Sequence, residues 1–294
     1  MNVWEEIKRI FSHANALSKL IYINIAVFLA VNIVYVFIFL LNVKDPAWAP
    51  VNWLAVPADP GTLVRKPWTL FTYMFLHEQF LHILFNMLWL FWFGRIFLEY
   101  LDPKRLLNVY LLGGLAGAFL YIFSFNVFPV FDAGREASVA LGASAAVYAI
   151  VIAMAAYVPN YTVYVFLIGP VKIKYIAMVV VLFDILSIPS INAGGHIAHL
   201  GGGLFGLLFA LKYRQGKDLT RWFGKMMDSI GTFFKPRPRV RVTYKKSESD
   251  MEFRKRKADE QKEIDRILDK IAKGGYESLT REEKEILFRM SNKP

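Results

Sequence analysis

Ser144 lies in the small-residue stretch Gly142-Ala143-Ser144-Ala145, and two histidines, His196 and His199, lie in a second apolar stretch. A serine hydroxyl becomes a nucleophile when an adjacent histidine accepts its proton. Polar and ionisable side chains are costly inside a bilayer, so their presence in apolar stretches indicates a function by default. We therefore expect two membrane helices in contact, with the Ser144 hydroxyl facing a histidine base.

Small residues in both stretches allow these helices to approach closely. His199 is followed by Gly202 and Gly206, a spacing that permits tight contact between helices. His196 lies three residues before His199 and can share the same helix face, so chemistry alone leaves both histidines open as the base. Close packing of small residues is also a sufficient reason for the sequence around Ser144 when that stretch is considered alone.

His82 and Asn86 lie four residues apart and share one face of another apolar stretch. A neutral imidazole and a side-chain amide donate hydrogen bonds without carrying net charge, which suits the stabilisation of an oxyanion. Backbone N–H groups at the start of the helix that carries Ser144 are further donors, because they lack intrahelical partners. Tyr148 follows Ser144 by four residues and lies on the same helix face.

A metal or haem site is the alternative use of the histidines, because His77 and His82 add to the later pair. The sequence pattern lacks a nearby carboxylate and a recognisable ligand spacing. We therefore expect neither a metal nor a cofactor. Arg95 and Glu99, also four residues apart, are interpreted as a structural ion pair.

The elements that position these residues are apolar. The chain has 294 residues, of which 55% are hydrophobic, and its mean hydropathy is +0.36. Its longer apolar runs can cross a hydrocarbon core of roughly 30 Å as helices. The absence of cysteine excludes disulfides and cysteine nucleophiles. The sequence predicts an all-α membrane protein with six transmembrane helices, at residues 20–41, 81–101, 106–128, 139–158, 173–188 and 194–211.

Positive charge sets the expected orientation in the membrane. Residues 212–294 hold 23 Lys and Arg against 14 Asp and Glu, whereas residues 1–211 hold 12 against 10. Short loops rich in Lys and Arg face the cytoplasm, and an even number of spans returns the chain to the same side. Both termini are therefore expected in the cytoplasm, and the positive-inside bias fits a bacterial inner membrane. The loop at residues 42–66 is rich in tryptophan and proline and is expected to lie partly among the lipid headgroups.

Four regions follow from these patterns. They are a cytoplasmic N-terminus (1–19), a six-helix domain (20–211), an amphipathic interfacial helix with a basic linker around Pro236–Arg239 (212–247) and a cytoplasmic helical hairpin (248–294). In the hairpin, a charged helix ends at Gly274-Gly275, and Thr280 with Glu283 forms a capping box before a second helix. We interpret the hairpin as a regulatory or docking surface for a cytoplasmic partner, and we expect no nucleic acid as a partner.

The polar residues and their neighbours resemble the rhomboid family of intramembrane serine proteases. The order and spacing of the motifs match across residues 20–211, with each motif in register. The matching pieces are Trp68-Thr69 with Phe75-Leu76-His77, His82-Ile83-Leu84-Phe85-Asn86-Met87, Phe93-Gly94-Arg95 with Glu99, Tyr110 with Gly113-Gly114-Leu115-Ala116-Gly117, Gly142-Ala143-Ser144, and Ala198-His199-Leu200-Gly201-Gly202 with Gly206.

The resemblance implies a six-helix bundle whose water-filled active site opens away from the cytoplasm. It implies Ser144 as the nucleophile and His199 as the base, because His199 alone fits the family's His-x-x-Gly-x-x-x-Gly pattern, and it implies no third, acidic member. Tyr148 matches the aromatic residue that stacks on the catalytic histidine. The resemblance also implies supporting roles for His82 and Asn86, which stabilise the oxyanion, and for Gly142, which belongs to the serine motif.

The implied function is that of an intramembrane serine endopeptidase that acts through an acyl-enzyme on Ser144. The implied substrates are membrane proteins whose transmembrane segments unwind near the site, within the lipid bilayer. The family usually has glycine after the serine, whereas this chain has Ala145. The alternative interpretation, a non-catalytic rhomboid-like protein that binds transmembrane clients, depends on that difference.

Overall fold

The computed structural model describes residues 15–190, 192–233 and 249–291. The chain forms two compact units, Met1–Lys235 and Pro236–Pro294. The longer helices, numbered α1–α9, are Ala16–Leu40, Phe80–Tyr100, Pro103–Val127, Ser144–Tyr157, Ile173–Ser187, Ala193–Arg214, Arg221–Phe233, Asp250–Gly274 and Arg281–Ser291. Shorter helical turns are Pro46–Trp48, Val51–Leu54, Pro60–Arg65, Thr69–Thr72, Tyr73–Phe75, Pro129–Phe131, Arg135–Ala137 and Tyr276–Ser278.

Local sequence explains where the long helices begin. The Asn15 side chain accepts a hydrogen bond from the Ser18 N–H at the start of α1, at 2.8 Å. At the start of α3, Asp102 accepts from the Arg105 N–H at 2.9 Å, and Pro103 occupies the first helical turn. Both are N-caps that satisfy a backbone donor without an intrahelical partner.

Four of the helices, α1, α2, α3 and α6, are long and apolar enough to cross a membrane. Helices α4 and α5 have 14 and 15 residues, which is about 21–23 Å at 1.5 Å per residue. The predicted runs coincide with α1, α2, α3, α5 and α6 to within a few residues. The chain is therefore a mostly helical membrane protein, and the total of six spans stays a prediction.

The predicted fourth span is wrong at its start. Val139–Ala140 is a short strand, β2, that pairs antiparallel with Val56–Pro57, β1, in the first loop. Helix α4 begins at Ser144, because Gly142 turns the chain with a φ of +121°. Strands β3 (Thr162–Val165) and β4 (Gly169–Lys172) form a separate hairpin between α4 and α5.

Glycine and alanine contacts hold α3, α4 and α6 together. A methyl group built on Gly202 of α6 would lie 2.0 Å from the Ala145 carbonyl oxygen, and one built on Gly206 would lie 2.1 Å from that of Ala149. A methyl group built on Gly113 of α3 would lie 2.2 Å from the Ala149 methyl. The three backbones approach so closely that only glycine fits at these positions.

Helix α7 occupies most of the stretch for which the sequence predicts an amphipathic helix. Phe223 is 1% exposed, whereas Trp222 is 62% exposed. Arg105 of α3 donates to Asp218 at 2.8 Å, and Lys104 forms an ion pair with Asp228 of α7. These contacts tie the segment after α6 to the start of α3. Residues 1–14 of the predicted N-terminal region (1–19) and the predicted linker at residues 236–239 lie outside the described residues.

The second unit is a pair of helices, α8 and α9. Ser249 and Glu252 form a capping box at the start of α8, and the helix ends at Gly275, whose φ is +73°. The predicted second capping box is present: the Thr280 N–H donates to Glu283 at 2.8 Å and the Glu283 N–H donates to the Thr280 hydroxyl at 3.4 Å. Lys270 also donates to Glu283 at 2.8 Å, which links the two helices.

The Glu283 contacts predict a stability that depends on pH. The hydrogen bond from Lys270 and the Thr280 backbone lower the pKa of Glu283 from 4.5 to about 2. Because the pKa is depressed on folding, the stabilisation is present above about pH 4.5 and is lost as the pH falls towards 2. We expect hydrogen-exchange protection of residues 281–290 in the full chain to fall over that range.

Glu282 provides the matched control for this prediction, because it is exposed on the first turn of the same helix. Glu283→Gln should remove most of the pH dependence between 4.5 and 2, and Glu282→Gln should leave it in place. Equal protection profiles for the two variants would contradict the assignment.

Candidate active site

Ser144 is the first residue of α4, and the turn before it is held from two sides. The Gly142 N–H donates to the Tyr73 carbonyl at 2.9 Å. The Ala143 N–H donates to His77 Nε2 at 3.3 Å. His77 is fully buried, so its ring supports the turn from inside the protein.

Gly142 brings His82 close to the serine. A methyl group built on Gly142 would lie 2.9 Å from His82 Nε2 and 3.6 Å from Ser144 Oγ. Its φ of +121° is also one that residues with a side chain rarely adopt. Glycine is therefore required at this position for two reasons. The turn needs a positive φ, and the His82 imidazole leaves no room for a side chain.

Donors suited to an oxyanion surround the start of α4. The Val147 N–H donates to the Ala143 carbonyl at 2.9 Å and is the first backbone donor that closes a helical turn. The N–H groups of the residues before it, Ser144 among them, have no intrahelical acceptor. Asn86 donates one of its two amide hydrogens to the His82 carbonyl at 2.9 Å, which fixes the amide and leaves the other hydrogen for a ligand.

His199 lies on α6, and its ring is held between two side chains. Tyr148 of α4 stacks on it with ring centroids 5.3 Å apart and an interplanar angle of 17°. This is the stacking contact expected from the resemblance. On the other side, His199 Nδ1 lies 2.9 Å from Asp184 Oδ1. The Tyr148 hydroxyl is buried and is close enough to Asp184 to interact with its charge. It forms no hydrogen bond with a described residue.

Asp184 corrects one expectation from the sequence, namely that no carboxylate lies near the histidines. The implied absence of a third, acidic member from the catalytic group stays a prediction. Asp184 of α5 is 3% exposed, and its Oδ1 also lies 2.7 Å from His196 Nδ1. Its sequence signal was the charge itself, which is costly in an apolar helix. In the structure, Asp184 lies with Ile173 and Ala177 on the buried face of α5.

A single cavity of about 1010 Å³ brings most of these side chains together. The polar residues that line it include Ser144, His199, His196, Asp184, His82, Asn86 and Tyr148. Within residues 15–190 and 192–233, the Ser144 hydroxyl makes no hydrogen bond. Catalytic hydrogen bonds commonly tighten only when a substrate binds.

Two other residues differ from their predicted arrangement. Arg95 and Glu99 form no ion pair in the part of the chain that the structure describes. The Arg95 guanidinium lies over the Phe91 ring, 5.6 Å from its centroid. Glu99 accepts instead from the Tyr161 hydroxyl at 3.4 Å. The i, i+4 spacing allowed an ion pair, but each side chain contacts an aromatic residue instead.

The donor set of Asp184, His196 and His199 also has the composition of a metal site, with ligand atoms within 4.8 Å of one another. Two imidazoles and a carboxylate are ligands that Zn²⁺ accepts. The 2.7 and 2.9 Å separations are those of hydrogen bonds from nitrogen to oxygen, so the carboxylate is already satisfied by the histidines.

Apolar helices around an interior cavity of serine, histidine and aspartate define an integral membrane protein with a polar site inside its bundle. Comparison with known families identifies it further. The model described as "Rhomboid domain" matches residues 64–216, and the chain belongs to the rhomboid family. A second model, described as a family of unknown function (DUF6576), matches residues 248–293 in the tail hairpin.

Curated relatives are similar over part of their length. The chain is 31% identical over 158 residues to "RHOMBOID-like protein 12, mitochondrial" of Arabidopsis thaliana, covering 51% of this chain and 47% of that protein. It is 34% identical over 68 residues to "Rhomboid protease GlpG" of Salmonella newport, covering 23% of this chain and 24% of that protein. The matches thus span about half and about a quarter of these relatives. Because one relative is mitochondrial and the other bacterial, the bacterial inner membrane stays a prediction.

Proposed function

We propose that this protein is an intramembrane serine endopeptidase that cleaves transmembrane segments of membrane proteins. The observation that supports it most is the shared cavity: a serine at the start of α4 and a histidine of α6 line one space with oxyanion donors. Membership of the rhomboid family adds to this, since a relative is named a rhomboid protease. We assign Ser144 as the nucleophile and His199 as the general base.

In the first half of the proposed reaction, His199 Nε2 accepts the proton of the Ser144 hydroxyl as Oγ attacks the scissile carbonyl carbon. The carbonyl oxygen becomes an oxyanion, which accepts hydrogen bonds from the Ser144 N–H, His82 and Asn86. When the tetrahedral intermediate collapses, the C–N bond breaks and the leaving amine takes the proton from His199. An ester to Ser144 Oγ remains.

In the second half, water replaces the amine. His199 removes a proton from the water as its oxygen attacks the ester carbon, and the same donors stabilise the second oxyanion. Collapse releases a carboxylic acid and returns the proton to Ser144. Gly142 and Tyr148 support both halves, the first by shaping the turn and the second by stacking on the base.

The proposal includes a topology. Helices α1–α6 are six membrane spans, with α4 as a short span buried in the bundle and α5 as a short span at its periphery. Both termini lie on the cytoplasmic side, supported by the 23 Lys and Arg after residue 211. The chain then consists of an N-terminus (1–19), a protease domain (20–211), an interfacial segment (212–247) and a cytoplasmic hairpin (248–294). The hairpin offers a surface to a cytoplasmic partner.

The alternative function, client binding without cleavage, depends on Ala145. That residue is 1% exposed, and a methyl group built on Gly117 would lie 2.6 Å from the Ala145 methyl. The extra methyl therefore points towards α3, although part of Ala145 also lines the cavity. This arrangement weakens the case that Ala145 blocks the oxyanion pocket.

Covalent labelling tests the proposal. A fluorophosphonate probe is expected to modify the folded protein at Ser144 Oγ, because a nearby base activates that hydroxyl. Intact mass and peptide mapping after labelling in detergent would locate the adduct. Ser138→Ala is the matched control, since Ser138 also lines the cavity but accepts a hydrogen bond from Tyr121 at 2.9 Å.

Labelling should persist in Ser138→Ala and disappear in Ser144→Ala. A folded wild-type preparation that takes up no probe would favour the client-binding alternative. Equal labelling of Ser144→Ala would remove Ser144 as the nucleophile.

A further inference from the structure

Asp184 is an ionisable side chain in an otherwise apolar helix. Of the α5 residues, Ile173, Ala177 and Asp184 are buried, whereas neighbours such as Leu186 are up to 70% exposed. The carboxylate therefore points into the bundle and the apolar side chains point outward. Burying a charge costs several kcal/mol unless it is paired, so a carboxylate here needs strong hydrogen-bond donors.

Two imidazoles supply those donors. His196 Nδ1 lies 2.7 Å and His199 Nδ1 lies 2.9 Å from the same oxygen, Asp184 Oδ1. In the described part of the chain, no Lys or Arg forms an ion pair with Asp184. A carboxylate oxygen only accepts, so both histidines must carry a hydrogen on Nδ1 for the two bonds to exist.

The tautomer of His199 follows from this contact. A neutral imidazole with a hydrogen on Nδ1 has its lone pair on Nε2, and the bond made by one ring nitrogen sets the state of the other. Stacking against Tyr148 holds the plane of the same ring, with centroids 5.3 Å apart. The base assigned above needs a free lone pair on Nε2 and a fixed ring orientation.

We propose that Asp184 is a positioning residue that holds the proton on His199 Nδ1 and orients the ring towards Ser144. The inference rests on the proposed function and extends the pair of Ser144 and His199 to a third, acidic member. When His199 takes the Ser144 proton, it becomes an imidazolium whose Nδ1–H already donates to a carboxylate. Asp184 accepts the hydrogen bond and does not itself take the proton.

His196 also contacts Asp184, but its role differs from that of His199. It makes the same kind of contact to the same oxygen, so it helps to satisfy the buried carboxylate. The charged and titratable groups that face His199 are Asp184, His196, Tyr148 and His82. Of these, only Asp184 combines a full negative charge with a direct hydrogen bond to the His199 ring.

The kinetic test compares Asp184→Asn, Asp184→Leu and the matched control Leu186→Ala on the outward side of the same helix, all in protein treated with a chelator. Loss of the carboxylate should lower kcat for a reporter membrane substrate by about 10²–10⁴-fold with KM changed less than about threefold. Leu186→Ala changes a side chain of α5 that is 70% exposed and does not line the cavity, so kcat should stay within about threefold. Thermal melting in detergent would verify that each variant is folded.

The spectroscopic test follows ¹⁵N signals of histidine-labelled protein. In the wild type, His199 should show a protonated Nδ1 and an unprotonated Nε2, and Asp184→Leu should lose that pattern. Full kcat in both Asp184 variants would overturn the inference, as would an unchanged His199 tautomer in them. A wild-type protein that neither cleaves nor labels would remove the proposed function, while the ¹⁵N pattern would still decide whether Asp184 holds the Nδ1 proton.

Discussion

Cleavage of a reporter membrane substrate is expected to fall by at least about 10³-fold in Ser144→Ala and in His199→Ala. The first change removes the nucleophilic oxygen, and the second removes the group that accepts its proton. Both side chains line the same cavity, so each variant removes one of the two reacting groups from the same site. The measurement is the initial rate of cleavage in liposomes or detergent, at equal amounts of folded protein.

His196→Ala is the control, because His196 lies three residues from His199, lines the same cavity and shares the Asp184 oxygen. It should retain most of the activity if His199 is the base. A rate that falls equally in the two histidine variants would leave the base unassigned. Cleavage that survives in Ser144→Ala would contradict the acyl-enzyme mechanism.

The sequence predicted the helices of the bundle where an apolar run and a helix coincide. Helices α1, α2, α3 and α6 begin or end at polar or helix-capping residues such as Asn15 and Asp102, which one-dimensional patterns can detect. The start of α4 was missed because residues 139–143 continue the apolar run. Their strand partner, Val56–Pro57, lies about 80 residues earlier, and hydropathy contains no signal for that pairing.

The candidate site was predictable in its residues and not in all of its contacts. Ser144 and His199 stood out because each is polar, set among small residues, and in its own apolar run. Asp184 was visible as a charge in the fifth run, but its contact with two histidines depends on how α5 is rotated against α6. Ile173, Ala177 and Asp184 form the inward face of α5, and only the packed structure identifies that face and the histidines that it meets.

Ala145 illustrates the same limit for a single methyl group. Sequence comparison with the usual family motif raises the question of whether that methyl crowds the substrate. In the structure Ala145 is 1% exposed, and its methyl lies close to Gly117 of α3. The consequence of a substitution beside a nucleophile depends on which neighbour its side chain faces.

Gly202→Ala is expected to destabilise the bundle by more than about 2 kcal/mol, which is a fall in melting temperature of at least roughly 4–8 °C. The added methyl would lie 2.0 Å from the Ala145 carbonyl oxygen, and backbone cannot rotate away as a side chain can. Helices α4 and α6 must therefore separate. The measurement is thermal unfolding in detergent, with Gly134→Ala as the control because nothing lies within 4 Å of a methyl group there.

The same contact connects stability to the site. Gly202 contacts Ala145, and Gly206, four residues later, contacts Ala149, which is also four residues later. Helices α4 and α6 therefore run parallel, and their contacts repeat every four residues. One turn before these contacts, that register brings His199 to the end of α4 at which Ser144 begins the helix. Separation of the helices in Gly202→Ala should therefore reduce probe labelling of Ser144 even at temperatures where the protein stays folded. Normal melting together with normal labelling would show that the close approach of these backbones does not set the distance between nucleophile and base.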